Sequence, residues 1–223
     1  MSFSAWYPQY HDLFYSDKNC EAEAAFVTGM LCRHGVAGGG LMQFGCRTGR
    51  HAVEFASAGF RVSGVDLNAD MVARADARRI ALPKAVAQRL RFQQGDARTV
   101  RTEEVYDAVV SLFHVASYQI TNAEFMAMCH TAAIHLPRSG IFLFDCWYGP
   151  GVLANPPKVR VKRATSDGTA MIRIAEPTMR RDENAVQVNY TIMLTDCRTQ
   201  SVETVTETRV MRYMFRPEVE LML

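Results

Sequence analysis

The run Leu41-Met42-Gln43-Phe44-Gly45-Cys46-Arg47-Thr48-Gly49-Arg50 constrains this chain more than any other stretch. An apolar segment breaks into closely spaced glycines and resumes as a helix, which suits a strand feeding a tight turn. The missing side chains of such a turn let the backbone approach a ligand. Asp66, in Gly64-Val65-Asp66-Leu67, ends the next apolar run about twenty residues further on, where a carboxylate can accept both hydroxyls of a ribose. Together the two features predict a site for a nucleotide-shaped cofactor. A dinucleotide turn wants glycine at its first, third and sixth positions. Counting from Gly45 gives Gly45, Arg47 and Arg50, so an oxidoreductase on this architecture is disfavoured.

Further along, strands at 41–45, 60–65, 90–94, 106–113 and 141–144 alternate with helices at 50–58, 69–81 and 123–136. That alternation predicts an α/β fold, a doubly wound, mostly parallel Rossmann-like sheet with right-handed crossovers. After Asp145 the pattern changes. Gly149, Pro150, Gly151, Pro156 and Pro157 argue against helix, and β-branched residues gather at 159–164, 171–175, 185–195 and 203–214. With turns at Asp167-Gly168 and Asp182-Glu183-Asn184, these segments predict an appended antiparallel β sheet. Three parts follow: residues 1–36, a helical and aromatic lid segment; 37–148, the cofactor-binding core; and 149–223, a substrate-side or dimerisation subdomain.

A formal charge of +2 over 223 residues, with both signs intermixed, offers no basic field for nucleic acid or an anionic membrane. No apolar run approaches ~20 residues, so no membrane span is expected. The six cysteines show no metal-ligand spacing, and no metal is expected. A reducing, cytoplasmic setting is the default for such thiols.

With Gly45, Gly49, Asp66, Gly95-Asp96-Ala97, Tyr106 to Val110 and Pro137 to Asp145 in view, the chain resembles the class I S-adenosylmethionine-dependent small-molecule methyltransferases. In pattern it is most similar to sugar and glycine N-methyltransferases, and Tyr10 to Lys18 resembles the lid of sugar-tailoring members. The resemblance implies S-adenosylmethionine as cofactor. Gly45 and Gly49 would line its methionine part, Asp66 its ribose, and Leu67, Asp96 and Ala97 its adenine. Gln43, Tyr15 and Leu112 complete the cofactor set. The segment Ser111 to Tyr118 would face the transferable methyl group.

Two departures stand in the glycine turn. Gln43 occupies a position usually acidic in the family, and Arg47 brings bulk and positive charge where glycine is usual. Pointing inward, Arg47 would oppose a sulfonium; swinging out, it could pair with a carboxylate. A third departure is that family members continue beyond the helix after Pro217 into final strands. The expectation is a shortened sheet, or one completed by a partner chain or a second copy.

Methyl transfer to an amine or hydroxyl is helped by a base near the acceptor. His114 is the first candidate, followed by Tyr118, Asp145 and His11. Tyr7, Tyr10, Phe113, Gln119, Trp147 and Tyr148 would supply substrate walls with polar tips, and Arg212 could reach a phosphate or carboxylate. His51 reads as a residue for helix packing or cofactor-side hydrogen bonding, and His130 and His135 as helix-surface residues without chemistry. The expected activity is methylation of a small molecule, such as a nucleotide sugar or natural-product intermediate. The alternative is a weakened or inactive relative that serves as a binding or partner subunit.

Overall fold

A computed structural model describes residues 6–166 and 168–223, with backbone alone for residues 6–9. The Tyr7 side chain and the Asp167 half of the expected Asp167-Gly168 turn lie outside the described residues. Two helices open the chain, α1 (Trp6–Phe14) and α2 (Cys20–Arg33). The strands β1 (Gly40–Phe44), β2 (Arg61–Asp66), β3 (Leu90–Gln94), β4 (Ala108–Ser111) and β5 (Ile141–Phe144) then form one parallel sheet in the order β3-β2-β1-β4-β5. Order reverses between β1 and β4, and in open α/β sheets ligands settle at the carboxyl ends of the strands beside such a reversal.

Alternation along β1 sends its residues to two cores. Leu41 packs with Val27 and Leu31 of α2 and with Phe55 of α3 (Arg50–Ser57), while Met42 and Phe44 pack with Phe125 and Met128 of α6 (Asn122–Ile134). Between these lie α4 (Ala69–Ile80) and the short α5 (Lys84–Ala87). Burial on both faces explains why β1 reads as an almost unbroken apolar run. Asn68 accepts from the Asp70 and Met71 N–H groups to start α4, and Thr121 and Glu124 form a capping box at α6.

The second sheet has the order β6-β10-β9-β8-β7, from β6 (Trp147–Tyr148), β7 (Arg160–Ser166), β8 (Thr169–Arg180), β9 (Ala185–Asp196) and β10 (Val202–Met214). All its pairings are antiparallel except β6, which adds to β10 in parallel. β8 runs well past the expected 171–175, through Pro177. Its pairing with β7 stops at Ala175, so Pro177 lies where one edge of the strand is open and needs no N–H for a ladder.

Two expectations need correction. Residues Gly149–Ala154 form a helix, α7, because Pro150 stands in its first turn, where a missing N–H costs nothing. The expected strand at 106–113 narrows to Ala108–Ser111, since Phe113 and His114 turn into left-handed backbone at φ 64 and 65.

α1 joins the two sheets. Phe14 is fully buried against Met171, Ile192 and Leu194 of the second sheet, while Asp12, two residues earlier, reaches the glycine turn of the first. The last helix, α8 (Arg216–Met222), lays Val219 and Met222 against the core beneath α6.

Candidate active site

Gly45, Arg47 and Gly49 all have positive φ, at 64, 52 and 77. The turn packs so closely on the loop after β4 that a Cβ at Gly45 would lie 2.3 Å from a Val115 methyl. The turn aims its backbone at Asp66. One carboxylate oxygen accepts the Arg47 N–H at 2.8 Å, and the other accepts the Asn68 N–H at 3.0 Å. Burial pushes the Asp66 carboxyl up, against the downward pull of those two donors. A carboxylate offers about four acceptor sites, so two hydroxyls can still be taken. Gln43 is buried at the end of β1, and its Oε1 has no hydrogen-bond partner among the described residues. Such an acceptor is costly unless a donor arrives. The Asp66 carboxylate and the orphaned Gln43 oxygen fit the ribose hydroxyls and the ammonium of an aminoacyl nucleoside.

α1 and α2 are latched over this turn. Thr48 Oγ1 donates to Asp12 at 2.6 Å, and Arg78 of α4 binds both Asp12 and the Thr48 carbonyl. Arg50 donates to the Tyr15 and Lys18 carbonyls at 2.6 and 2.8 Å. Glu23 of α2 bridges Lys18 and His51, the latter at 2.8 Å. Burial raises the Asp12 carboxyl, but bonds from His11 and Thr48 and the Arg78 charge outweigh it and bring it down to about 2.

On the opposite wall, the Asp145 carboxylate accepts the Phe113 N–H at 2.8 Å and the His114 N–H at 2.7 Å. This pair of bonds holds two consecutive left-handed residues. Asp145, a candidate base, is thus committed to the backbone. The His114 ring stacks on Phe113 at 5.5 Å and meets the Trp147 ring edge-on at 6.1 Å. Its Nδ1 is buried, 4.0 Å from Asp145 Oδ2. Burial lowers the His114 pKa, Asp145 opposes this, and Arg47 and Lys18 push it down further. The ring is therefore neutral near pH 7 and able to take a proton.

Arg47 neither points to a carboxylate nor leaves the site. Its Nη2 donates to the Phe113 carbonyl at 3.0 Å, and its guanidinium carbon lies 3.9 Å from the Phe113 ring centroid. Lys18 Nζ sits 4.2 Å from the same centroid.

Beyond Phe113, a small cavity opens between α1 and the second sheet. It is lined by Tyr15, Tyr118, Arg173, Tyr190, Glu207 and Arg209, among others. The Tyr15 ring meets Phe113 edge-on at 4.9 Å, which ties the cavity to the site. Arg173 donates to the Tyr15 hydroxyl at 3.1 Å and lies 4.9 to 5.6 Å from the Phe14, Tyr15 and Tyr190 rings. Arg209 pairs with Glu207 at 2.7 Å and donates to the Tyr118 hydroxyl at 3.4 Å. Burial would raise the Tyr15 phenol, yet Arg173 and Arg47 lower it, whereas burial pushes Tyr190 up to about 12.

The structure thus brings His11, Tyr15, Leu112, Phe113, His114, Tyr118 and Trp147 together around the turn and its neighbouring cavity. Other expected residues are engaged elsewhere. Arg212 is buried and donates to Asn122 Oδ1 at 2.6 Å and to Glu218, tying β10 to α6 and α8. Gln119 Nε2 donates to the Val115 carbonyl at 3.1 Å. Tyr10 packs with Phe14, Tyr148 is exposed, and Leu67 is half exposed. Asp96 is held by Arg98, which also reaches Glu124, and Ala97 packs into the core under α6. His135 corrects the surface reading: it is buried, with Nδ1 2.7 Å from the Thr131 carbonyl and Nε2 accepting the Thr102 N–H at 3.0 Å.

Arg173, Tyr190, Glu207 and Arg209 were not singled out in the sequence. Their signal is a charge on an apolar strand face of period two, as in Met171-Arg173-Ala175 and Glu207-Arg209-Met211-Tyr213.

The sheet order, the glycine turn and Asp66 define an enzyme domain built to hold a nucleotide-shaped cofactor. The methyltransferase-domain family matches residues 41–140. The dTDP-3-amino-3,4,6-trideoxy-alpha-D-glucopyranose N,N-dimethyltransferase of Streptomyces venezuelae is 27% identical over 184 residues, 82% of this chain and 74% of that protein. The crystal structure of DesVI from Streptomyces venezuelae superposes with a TM-score of 0.81 at 24% identity, covering 99% of this chain and 89% of the other. S-adenosylmethionine-bound CalS10 from Micromonospora echinaspora, an amino pentose methyltransferase, does so with 0.75 at 23% identity, covering 100% and 87%. Residues 41–140 thus match a methyltransferase domain, and together these similarities support a class I S-adenosylmethionine-dependent methyltransferase with S-adenosylmethionine as its cofactor.

Proposed function

We propose that this protein methylates the amine of a nucleotide-linked amino sugar. The single observation that carries the reading is His114, a histidine kept neutral by burial on a loop propped by Asp145. The Arg173 guanidinium, which lines a cavity of about 20 Å³ beside it and forms no ion pair among the described residues, supports an acceptor that carries an anionic diphosphate. The 27% identical relative is named for the same chemistry.

When bound, S-adenosylmethionine supplies the electrophilic methyl group. Asp66 would accept the ribose hydroxyls, and Gln43 Oε1 would accept from the ammonium. An amine protonated at neutral pH must first lose a proton to expose its lone pair. His114 Nε2 takes that proton, and Asp145 beside Nδ1 stabilises the resulting imidazolium. Phe113 and Trp147 keep water from the acceptor. Holding the amine in line then supplies much of the rate.

The test offers purified protein three acceptors with S-adenosylmethionine: a nucleotide diphosphate amino sugar, its hydroxyl counterpart, and the free amino sugar. Methyl addition is read by mass spectrometry. Methylation of the first well above the others is expected, and methylation of the hydroxyl counterpart instead would overturn the amine assignment.

A further inference from the structure

We propose that Arg47 sets which form of the cofactor this site prefers, disfavouring the cationic sulfonium and favouring the neutral thioether left after methyl transfer. The inference rests on the methyltransferase reading above.

Arg47 occupies left-handed backbone at φ 52, flanked by Gly45 and Gly49 in the same region. A side chain there is strained, so its presence in a turn whose other left-handed positions are glycines asks for a reason. The side chain crosses from the end of β1 to the loop after β4, over the reversal in strand order, and is tied there by the Phe113 carbonyl and ring. Among the described residues no carboxylate forms an ion pair with its guanidinium. Asp66 takes only its main-chain N–H. Lys18 adds a second cation against the same ring.

The space enclosed by His11, Lys18, Gly45, Arg47, Leu112 and Phe113 is about 20 Å³, room for about one water. Any ligand tail entering here parts Arg47 from Phe113 and shares its enclosure with the guanidinium. Burial is the main cause that lowers His11, His51 and His114, and the Arg47 charge adds to it in each; against burial, Arg47 joins Arg173 in lowering the Tyr15 phenol.

The methylated and demethylated cofactors share adenosine, carboxylate and ammonium, and differ in charge only at sulfur. A guanidinium enclosed with the ligand therefore acts on the difference between them, and a site separates two ligands only by such a difference. The consequence for the enzyme is that its own product competes strongly with fresh cofactor for the site.

Calorimetry on the wild type, Arg47→Gln and Arg47→Lys tests this with three non-turnover titrations: S-adenosylmethionine, S-adenosylhomocysteine, and sinefungin, whose amine replaces the sulfonium. The wild type and Arg47→Lys should hold the neutral ligand at least about tenfold more tightly than either cation. Arg47→Gln should bring the three within about threefold of one another by tightening the cations alone. Ligand ratios unchanged in Arg47→Gln would overturn the inference and leave the methyltransferase reading intact, as would a parallel loss of all three, which would make Arg47 a carboxylate anchor. No binding of any ligand to any of the three proteins would overturn both.

Discussion

Asp145 holds His114 by its backbone: the carboxylate accepts the His114 N–H at 2.7 Å, with its second oxygen on the Phe113 N–H at 2.8 Å. Both residues sit in left-handed backbone, at φ 65 and 64, a conformation that side chains oppose. The two bonds supply what holds the loop in place. Asp145→Ala should therefore destabilise the protein by about 2 kcal/mol, measured by urea unfolding, and lower kcat by more than about tenfold through misplacement of the ring. Asp145→Asn can satisfy only one N–H through its carbonyl and should fall between.

His114→Gln tests the base itself. General-base catalysis contributes roughly 10²- to 10⁴-fold, so kcat should drop into that range while S-adenosylmethionine affinity in calorimetry stays within about twofold. Burial, with Arg47 and Lys18 nearby, places the His114 pKa below its ordinary value. The rate of the wild type should thus hold down to a pH below the usual histidine range and then fall as the ring is protonated. A flat acid limb, or unchanged turnover in the variant, would remove His114 from the proton transfer.

The fold was legible because β1 and the strands beside it are buried on both faces, and the glycines between them permit turns that other residues resist. Gly45, Gly49 and Asp66 were readable for the same reason, since their chemistry is local to one strand and one turn. Arg173 and Glu207 were not. Each becomes meaningful only when β8 and β10 lie in register with β9, which places Arg173 opposite Ile192 and Glu207 opposite Tyr190. Arg212 illustrates the converse. A late arginine looked free to meet an anion, but the fold brings Asn122 and Glu218 to it. Pro150 misled because proline breaks a helix interior yet suits its first turn.

Stability around the glycine turn and the loop after β4 is pH-sensitive in a definite direction. Burial lowers the pKa values of His11, His51 and His114 in the folded protein, whereas the unfolded chain protonates its histidines near about 6.5. The unfolded state then binds more protons below that pH, so stability is full above about 6.5 and declines as pH falls toward the folded values. Asp12, held at about 2 by His11, Thr48 and Arg78 despite its burial, adds a second decline that begins near its unfolded pKa of roughly 3.9. Urea midpoints at successive pH values should show both stages, and His51→Gln should shallow the first. A midpoint constant from neutral pH down to the carboxylate range would contradict this account.

Asp12→Asn separates the latch from general stability. The Thr48 hydroxyl bond can survive to the amide oxygen, but the ion pair with Arg78 cannot. That pair is more than a third exposed on both sides, so the global cost should stay within about 1 kcal/mol. The local cost should appear as faster proteolysis between α1 and α2 and as weaker cofactor affinity by a few-fold, because the glycine turn loses its cover.

Arg173→Met asks whether the cavity under α1 reads an anion. Methionine keeps much of the packing against Phe14, Tyr15 and Tyr190 while removing the charge and the bond to the Tyr15 hydroxyl. A charge-assisted hydrogen bond is worth about 1.5 to 3 kcal/mol, so KM for a nucleotide-linked amino sugar should rise by roughly 10- to 150-fold. The free amino sugar, which lacks the diphosphate, should lose little. Tyr15→Phe keeps the guanidinium but frees it from its hydroxyl partner and should change KM far less. Equal losses for both acceptors in Arg173→Met would mean that the arginine supports the fold of the cavity rather than recognising the anion.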